Sequence, residues 1–435
     1  MSIFTWEEIP VPNAYGTVTF GEAFSISPDG RNIVGTYGIP GTPPYTVEFH
    51  GFFLDASGQT GSYDYPFNHA NATSVRGVND FQNVVGFYRD EERNRELHGY
   101  SWPRSALYPQ DFDMPDANFP TTDEDGNQGH NGVLGINNQG YVVGLFNHKT
   151  IKNDFGYVWG PQNTPITPQT IDIRPFTDRV KNTWAQGINS HGDIVGSFTK
   201  TGVNASAPEE THGFKWKVDI DPNAGLRMVG EPTILDVSPQ GAVAVATMAN
   251  GINDSGWIVG EYDTNEPRPE NRPTKHGFVW RPDAGGKYVA GDHIKIDLNG
   301  ATDVVVNGIS SHGRFVGFYR APFSPTNPTM VRHAFKGDFP AIVSGGPIIR
   351  QMTDAIFQLV SRSVALGAAG WVFPLFGPPR PEPSPDPIIR MLLGLSAEAA
   401  SAVVLLQLAA VVTDNQIREE MRLLALKLLQ SELAR

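Results

Sequence analysis

The chain has 435 residues, a formal net charge of −13, 46 glycines, 35 prolines, 11% aromatic residues and no cysteine. That length exceeds one ordinary core and calls for two domains or a repeat. The aromatic content sets the chain apart from low-complexity disorder despite its glycine and proline. The missing cysteines exclude disulfides, zinc–thiolate centres and a thiol nucleophile, and the acidic balance excludes a phosphate-gripping nucleic-acid surface.

The first residues, Met1-Ser2-Ile3-Phe4-Thr5-Trp6-Glu7, lack the basic and apolar regions of a secretory signal, which leaves the cytoplasm or a leader already removed. From residue 20 to 337 one pattern recurs six times: Gly-Ile-Asn-x-x-Gly-x-Ile-Val-Gly-x-Tyr, a variable stretch, then His-Gly-Phe-x-Trp. Its anchors Ile26, Val78, Ile136, Ile188, Ile252 and Ile309 lie 52, 58, 52, 64 and 57 residues apart. That spacing suits one four-stranded propeller blade per copy.

Each part reads as a strand or a turn for a local reason. Gly-Ile-Asn ends an inner strand, and Asn-x-x-Gly makes a tight turn in which Asn and Gly tolerate positive φ. Ile-Val-Gly-x-Tyr is a second strand whose glycine permits close backbone approach. His-Gly-Phe-x-Trp alternates as a third. Acidic-apolar segments such as Tyr63-Asp64-Tyr65-Pro66, Phe112-Asp113-Met114-Pro115 and Ile234-Leu235-Asp236-Val237 are expected as fourth strands. The last copy lacks one, and Trp6-Glu7-Glu8-Ile9-Pro10 has the right composition to supply it, which abolishes an unpaired edge. The expected fold is therefore all-β: a six-bladed β-propeller over residues 1–340, its last blade closed by the N-terminal strand.

These motifs resemble the HAF repeat of bacterial extracellular proteins, named for the tripeptide found here as His333-Ala334-Phe335. The resemblance covers about three-quarters of the chain. It implies a repeat propeller outside the cell and assigns no chemistry.

A propeller places the loops between strands two and three, and between strands four and one, on one face. Here those loops are the irregular ones, for example 38–49, 89–97, 199–211 and 263–275, so recognition is expected there. Residues one and three places before the Gly-Ile-Asn glycine are expected to line the channel mouth. They supply Glu22, Arg76, Trp184, Gln186, Asn250 and Asn307 as a polar ligand-binding set with one aromatic wall.

The recurrent His50, His98, His212, His276 and His333 suggest a metal cluster only superficially. Blades radiate from an axis, so equivalent residues stand apart, and a packing hydrogen bond to Asp64, Asp113, Asp172, Asp236 or Asp297 is the expected role. Phe155 replaces the third histidine. Asp123, Asp125 and Asn127 resemble part of a calcium loop, but its glycine is misplaced and no bidentate Glu follows. Asn71-Ala72-Thr73 and Asn204-Ala205-Ser206 are glycosylation sequons. No phosphate loop, nucleophile elbow or zincin motif occurs.

Residues 341–435 carry 8 basic and 8 acidic side chains, so the acidic excess lies before them. Pro347-Ile348-Ile349-Arg350 and Pro387-Ile388-Ile389-Arg390 each open an apolar stretch, with proline suited to a first helical turn. The proline-rich stretch 377–387 is a stiff linker between them. An α-helical domain is expected over 341–435, with 345–435 mediating homo-oligomerisation or docking. Arg362 and Pro374 interrupt the first apolar run and the second is short, which disfavours membrane insertion.

Three functional readings follow. The leading one is a non-enzymatic protein that binds a glycan, a peptide or a small polar ligand. The others are a hydrolase or lyase with carboxylates at the channel mouth, and a toxin-like effector with a membrane-active tail.

Overall fold

A computed structural model of the chain describes residues 4–339 except 13–17, 42–46, 67–69, 91–95, 105, 113–130, 148–152, 162–165, 205–206, 222–224, 238–243, 265–273, 284–285, 290–291 and 325–326. All described residues belong to the unit Met1–Pro340. The expected helices after residue 341 and the calcium-like Asp123, Asp125 and Asn127 lie outside them, as do Asp113 and the Asn71 side chain.

The described residues form a β-propeller-like all-β fold. Strands pair as antiparallel meanders that follow the sequence copies. The first comprises β2 (Phe20–Ile26), β3 (Ile33–Pro40), β4 (Val47–Leu54) and β5 (Thr60–Ser62). The second is β6 (Ala70–Val78), β7 (Val84–Asp90), β8 (Glu96–Trp102) and β9 (Gln110–Asp111). The third is β10 (Asn131–Ile136), β11 (Val142–Asn147), β12 (Asp154–Trp159) and β13 (Gln169–Ile171). Next come β14 (Val180–Ile188), β15 (Asp193–Lys200), β16 (Glu210–Asp221) and β17 (Gly225–Leu235). The fifth is β18 (Ala244–Ile252), β19 (Ile258–Thr264), β20 (Thr274–Trp280) and β21 (His293–Ile296). The last, β22 (Asp303–Ile309), β23 (Arg314–Ser324) and β24 (Asn327–Asp338), takes β1 (Thr5–Glu8) as its outer strand, with Glu8 opposite Phe335.

The innermost strands β2, β6, β10, β14, β18 and β22 follow one another, and β22 returns to β2. Glycine makes this approach possible. A Cβ on Gly187 would stand 3.1 Å from the Gly251 Cα, and one on Gly308 would stand 3.1 Å from the Ser25 Cα. Core clusters straddle neighbouring copies. Val195 of the fourth packs with Ile252, Tyr262 and Phe278 of the fifth, and Ile9, Val316 and Ala334 pack with Ala23 and Tyr37 across the junction of last and first.

The outer strands differ from the expectation. β5 and β9 end before the acidic segments, and Asp64 acts as a cap instead of a strand residue: the Gly51 N–H donates to its Oδ1 at 2.9 Å. The tight turns place Gly30, Gly140, Gly192, Gly256 and Gly313 at φ between 75° and 83°. Gln82 holds the equivalent corner at φ 59°, where its side chain donates to Asn32 Oδ1 of the preceding copy at 3.2 Å.

Candidate functional site

Every innermost strand carries a β-bulge at one place. Its pairing skips Phe24, Arg76, Leu134, Gln186, Asn250 and Asn307, each the residue before the Gly-Ile-Asn glycine or its equivalent. A bulge leaves one residue outside the ladder and re-aims its side chain. All six skipped residues line a central cavity of about 60 Å³. Toward the tight turns its wall continues through Pro28, Asn137, Asn189, Ser190, Asn253 and Asp254.

Four of the six ligand-binding residues expected from sequence therefore meet here: Arg76, Gln186, Asn250 and Asn307. Glu22 and Trp184 do not. Glu22 accepts a charged hydrogen bond from Arg332 of the last copy, and the Trp184 indole donates to Asp154 Oδ2 of the preceding copy at 2.8 Å. Simple alternation puts residues two apart on one face; the bulge between them breaks that alternation. Phe24 and Leu134 take part in the lining although the ligand set left them out.

The ring is chemically uneven. The Arg76 guanidinium lies 3.6 Å over the centre of the Phe24 ring and 5.7 Å from that of Phe87. Burial pushes its pKa down to about 10, so it stays cationic at neutral pH. The Asn307 amide donates to Ala23 O at 2.8 Å, and that of Asn250 to Val306 O at 3.2 Å. Among the described residues the Gln186 side chain makes one hydrogen-bond contact, with Ser197 Oγ at 3.5 Å, at the limit of a hydrogen bond.

The turn end of the cavity is built differently. The asparagine of each Gly-Ile-Asn accepts from its own turn, as Asn137 Oδ1 does from Gln139 N (3.1 Å) and Tyr141 N (3.0 Å). Its Nδ2 donates to the equivalent carbonyl of the next copy: Asn79 to Asn137, Asn137 to Asn189 and Asn189 to Asn253, each at 3.1 Å, then Asn253 to Ser310 at 2.9 Å. Asparagine carries its acceptor and its donor on two separate atoms of one short side chain, which is what this clasp uses. Ser27 and Ser310 hold the position in the first and last copies, where their hydroxyls accept only from their own turns.

The histidines serve packing. His50, His212 and His276 bond Asp64, Asp236 and Asp297 through Nδ1 at 3.0, 2.9 and 2.7 Å, and His333 bonds Glu8 of β1 at 2.9 Å. His50, His212 and His333 stack on the aromatic residue of their second strand, His333 on Tyr319 at 5.1 Å, and His276 lies tilted against Tyr262. Where Phe155 replaces the imidazole, Arg174 takes over Asp172 through two hydrogen bonds of 2.8 and 2.7 Å and lies over the Phe155 ring. Among the described residues no group of three or more His, Asp and Glu could hold a metal ion.

These pairs give stability a pH dependence. Hydrogen bonds donated to Asp236 and Glu8 raise the pKa of His212 and His333. Their contribution is full below the ordinary histidine pKa and is lost as pH rises through the raised value. Burial, with Asp29 alongside, raises Asp80 to about 6, which acts in the same direction at lower pH. Burial lowers His293, which opposes the trend, and the bond from His333 lowers Glu8, whose stabilisation disappears in acid. The melting temperature is expected to fall from pH 6 to pH 8. His212→Phe, which copies Phe155, should flatten that slope in calorimetry at matched ionic strength.

No family model matches the chain, so no family match supports the HAF resemblance, and no curated protein matches it. Among solved structures the chain is similar to β-propeller proteins. An ulvan lyase of polysaccharide lyase family PL25 shares 9% identity at TM-score 0.39, over 79% of this chain and 84% of that one. A gluconolactonase from Xanthomonas campestris shares 12% at TM-score 0.37, over 78% and 90%. The Trypanosoma rangeli sialidase, in complex with sialic acid, shares 8% at TM-score 0.40, over 82% and 60%.

Proposed function

We propose that the chain is a six-bladed β-propeller recognition protein whose bulged channel ring binds a polar ligand (a glycan, a peptide or a small polar molecule). One contrast carries the reading. The residue before each bulge is Ala or Val, the one after it is Ser or Gly, and the next is Ile or Val. The bulged residue itself is Phe, Arg, Leu, Gln, Asn or Asn. The ladder and the apolar core place no common demand on that position, and variation on a rigid frame is how recognition surfaces are built.

The ligand approaches from the variable-loop face, because at the turn end the clasping asparagines are spent on neighbouring carbonyls. About 60 Å³ admits a substituent and not a whole sugar, so the bulk of the ligand rests on the loops.

Glycan, peptide and metabolite arrays with the full chain identify the ligand class. Gln186→Ala then serves as the clean probe, because Gln186 has one marginal contact. Its binding should weaken about 10-fold, the loss of one hydrogen bond, with the melting temperature unchanged. Unaltered affinity for an authentic ligand would remove the ring from the site.

A further inference from the structure

We infer that the channel ring is an anion site in which the Arg76 guanidinium receives a carboxylate of the ligand. This rests on the recognition reading above and names the ligand's chemistry.

Arg76 holds a charge inside the channel, and its five N–H groups make no hydrogen bond or ion pair among the described residues. Its contacts are the Phe24 and Phe87 rings. Glu22 is the anion that acts on it electrostatically, and the Glu22 carboxylate is bonded to Arg332. Glu22 thus divides its charge between Arg332 and Arg76, and Arg76 has no carboxylate within ion-pair distance among the described residues of a chain whose net charge is −13. A half-buried cation held only by two aromatic faces, with its N–H groups unbonded, is costly, and a protein retains one where a ligand supplies the counter-charge.

The geometry favours a planar anion. A guanidinium lying over an aromatic face keeps its edge N–H groups available, and that edge matches two carboxylate oxygens. Gln186, on the same ring, has amide N–H capacity left beyond its 3.5 Å contact with Ser197. A volume of about 60 Å³ is of the order of a carboxylate with its first carbon or a few waters. The one carboxylate in the lining, Asp254, lies at the turn end and accepts from Ser190 N at 2.8 Å. Its charge pushes an anion toward the Arg76 level. The third copy carries Leu134 where the second carries Arg76, so the scaffold accepts an apolar residue here.

The test is thermal shift and titration calorimetry on the full chain with acetate, glucuronate, inorganic phosphate and chloride at matched ionic strength. Acetate or glucuronate should raise the melting temperature saturably, and chloride should not. Arg76→Leu should abolish the shift and melt higher than the parent without added anion, because it removes the unpaired charge. Arg76→Lys, which keeps the charge but loses the fork, should bind carboxylate about 30-fold more weakly.

Absence of any carboxylate response, a response to phosphate alone, or an Arg76→Leu protein that responds like the parent would overturn the inference. A neutral array ligand lost with Gln186→Ala but indifferent to Arg76→Leu would sink the carboxylate and keep the recognition reading. Failure of both variants to alter any array ligand would sink both.

Discussion

Replacing Gly196 by alanine is expected to cost about 4 kcal/mol or more and to lower the melting temperature by on the order of 10 °C or prevent folding. A Cβ at Gly196 would land on the Trp184 carbonyl oxygen and stand 2.8 Å from the Phe214 ring. The cause is the bulge. Where β14 skips Gln186 the pairing of Trp184 and Ala185 brings that carbonyl over the β15 glycine. The same encounter recurs at Gly35, Gly86, Gly144, Gly260 and Gly317, against Glu22, Ser74, Gly132, Met248 and Val305. A backbone carbonyl held in a ladder cannot move aside, so the strain is not relieved as it would be against a flexible side chain. Gly61→Ala is the control. Nothing lies within 4 Å of its Cβ, and its denaturation midpoint should match the parent's. Equal behaviour of the two variants would show that the repeated glycine answers to something other than the bulge.

Deleting residues 1–10 is the second large perturbation. β1 contributes its ladder to β24, and the Ile9 N–H donates to Ala334 O at 2.9 Å. Glu8 receives the His333 imidazole at 2.9 Å and the Tyr319 hydroxyl at 3.2 Å. Ile9 is 2% exposed and Phe4 8%. Burial of two such side chains contributes roughly 1.5–3 kcal/mol each, before the loss of hydrogen bonds and the exposure of the β24 edge. We expect a loss above about 5 kcal/mol and concentration-dependent aggregation through that edge. Light scattering and calorimetry measure both. A synthetic peptide of residues 1–10 added in trans should restore the transition, and full stability of the truncated chain without it would refute the closure role.

Much of the architecture was legible because the motif is stereochemically dense. Asn-x-x-Gly, Ile-Val-Gly and His-Gly-Phe each demand a local backbone, and they recur in one order. The outer strands were less so. Asp64 was read as a strand residue because it sits among apolar neighbours, whereas its carboxylate leaves the ladder to hold Gly51 and His50. At the site, Arg76, Gln186, Asn250 and Asn307 were legible from their place before Gly-Ile-Asn. Glu22 and Trp184 lie off the cavity because two-residue alternation fails across a bulge, and the strand glycine that accompanies each bulge reads in sequence only as a close backbone approach. The asparagine clasp was hidden for another reason: Asn in a turn looks fully explained by its φ angle, and its second role depends on the neighbouring copy.

The bulge also separates what holds the ring together from what faces its axis. Neighbouring positions carry the apolar packing, and the skipped residue is left out of it, although Asn250 and Asn307 each bond a carbonyl of an adjoining copy. On the recognition reading proposed above, such addresses can be rewritten one at a time, so that a single scaffold of this kind would change its cargo without relearning how to fold.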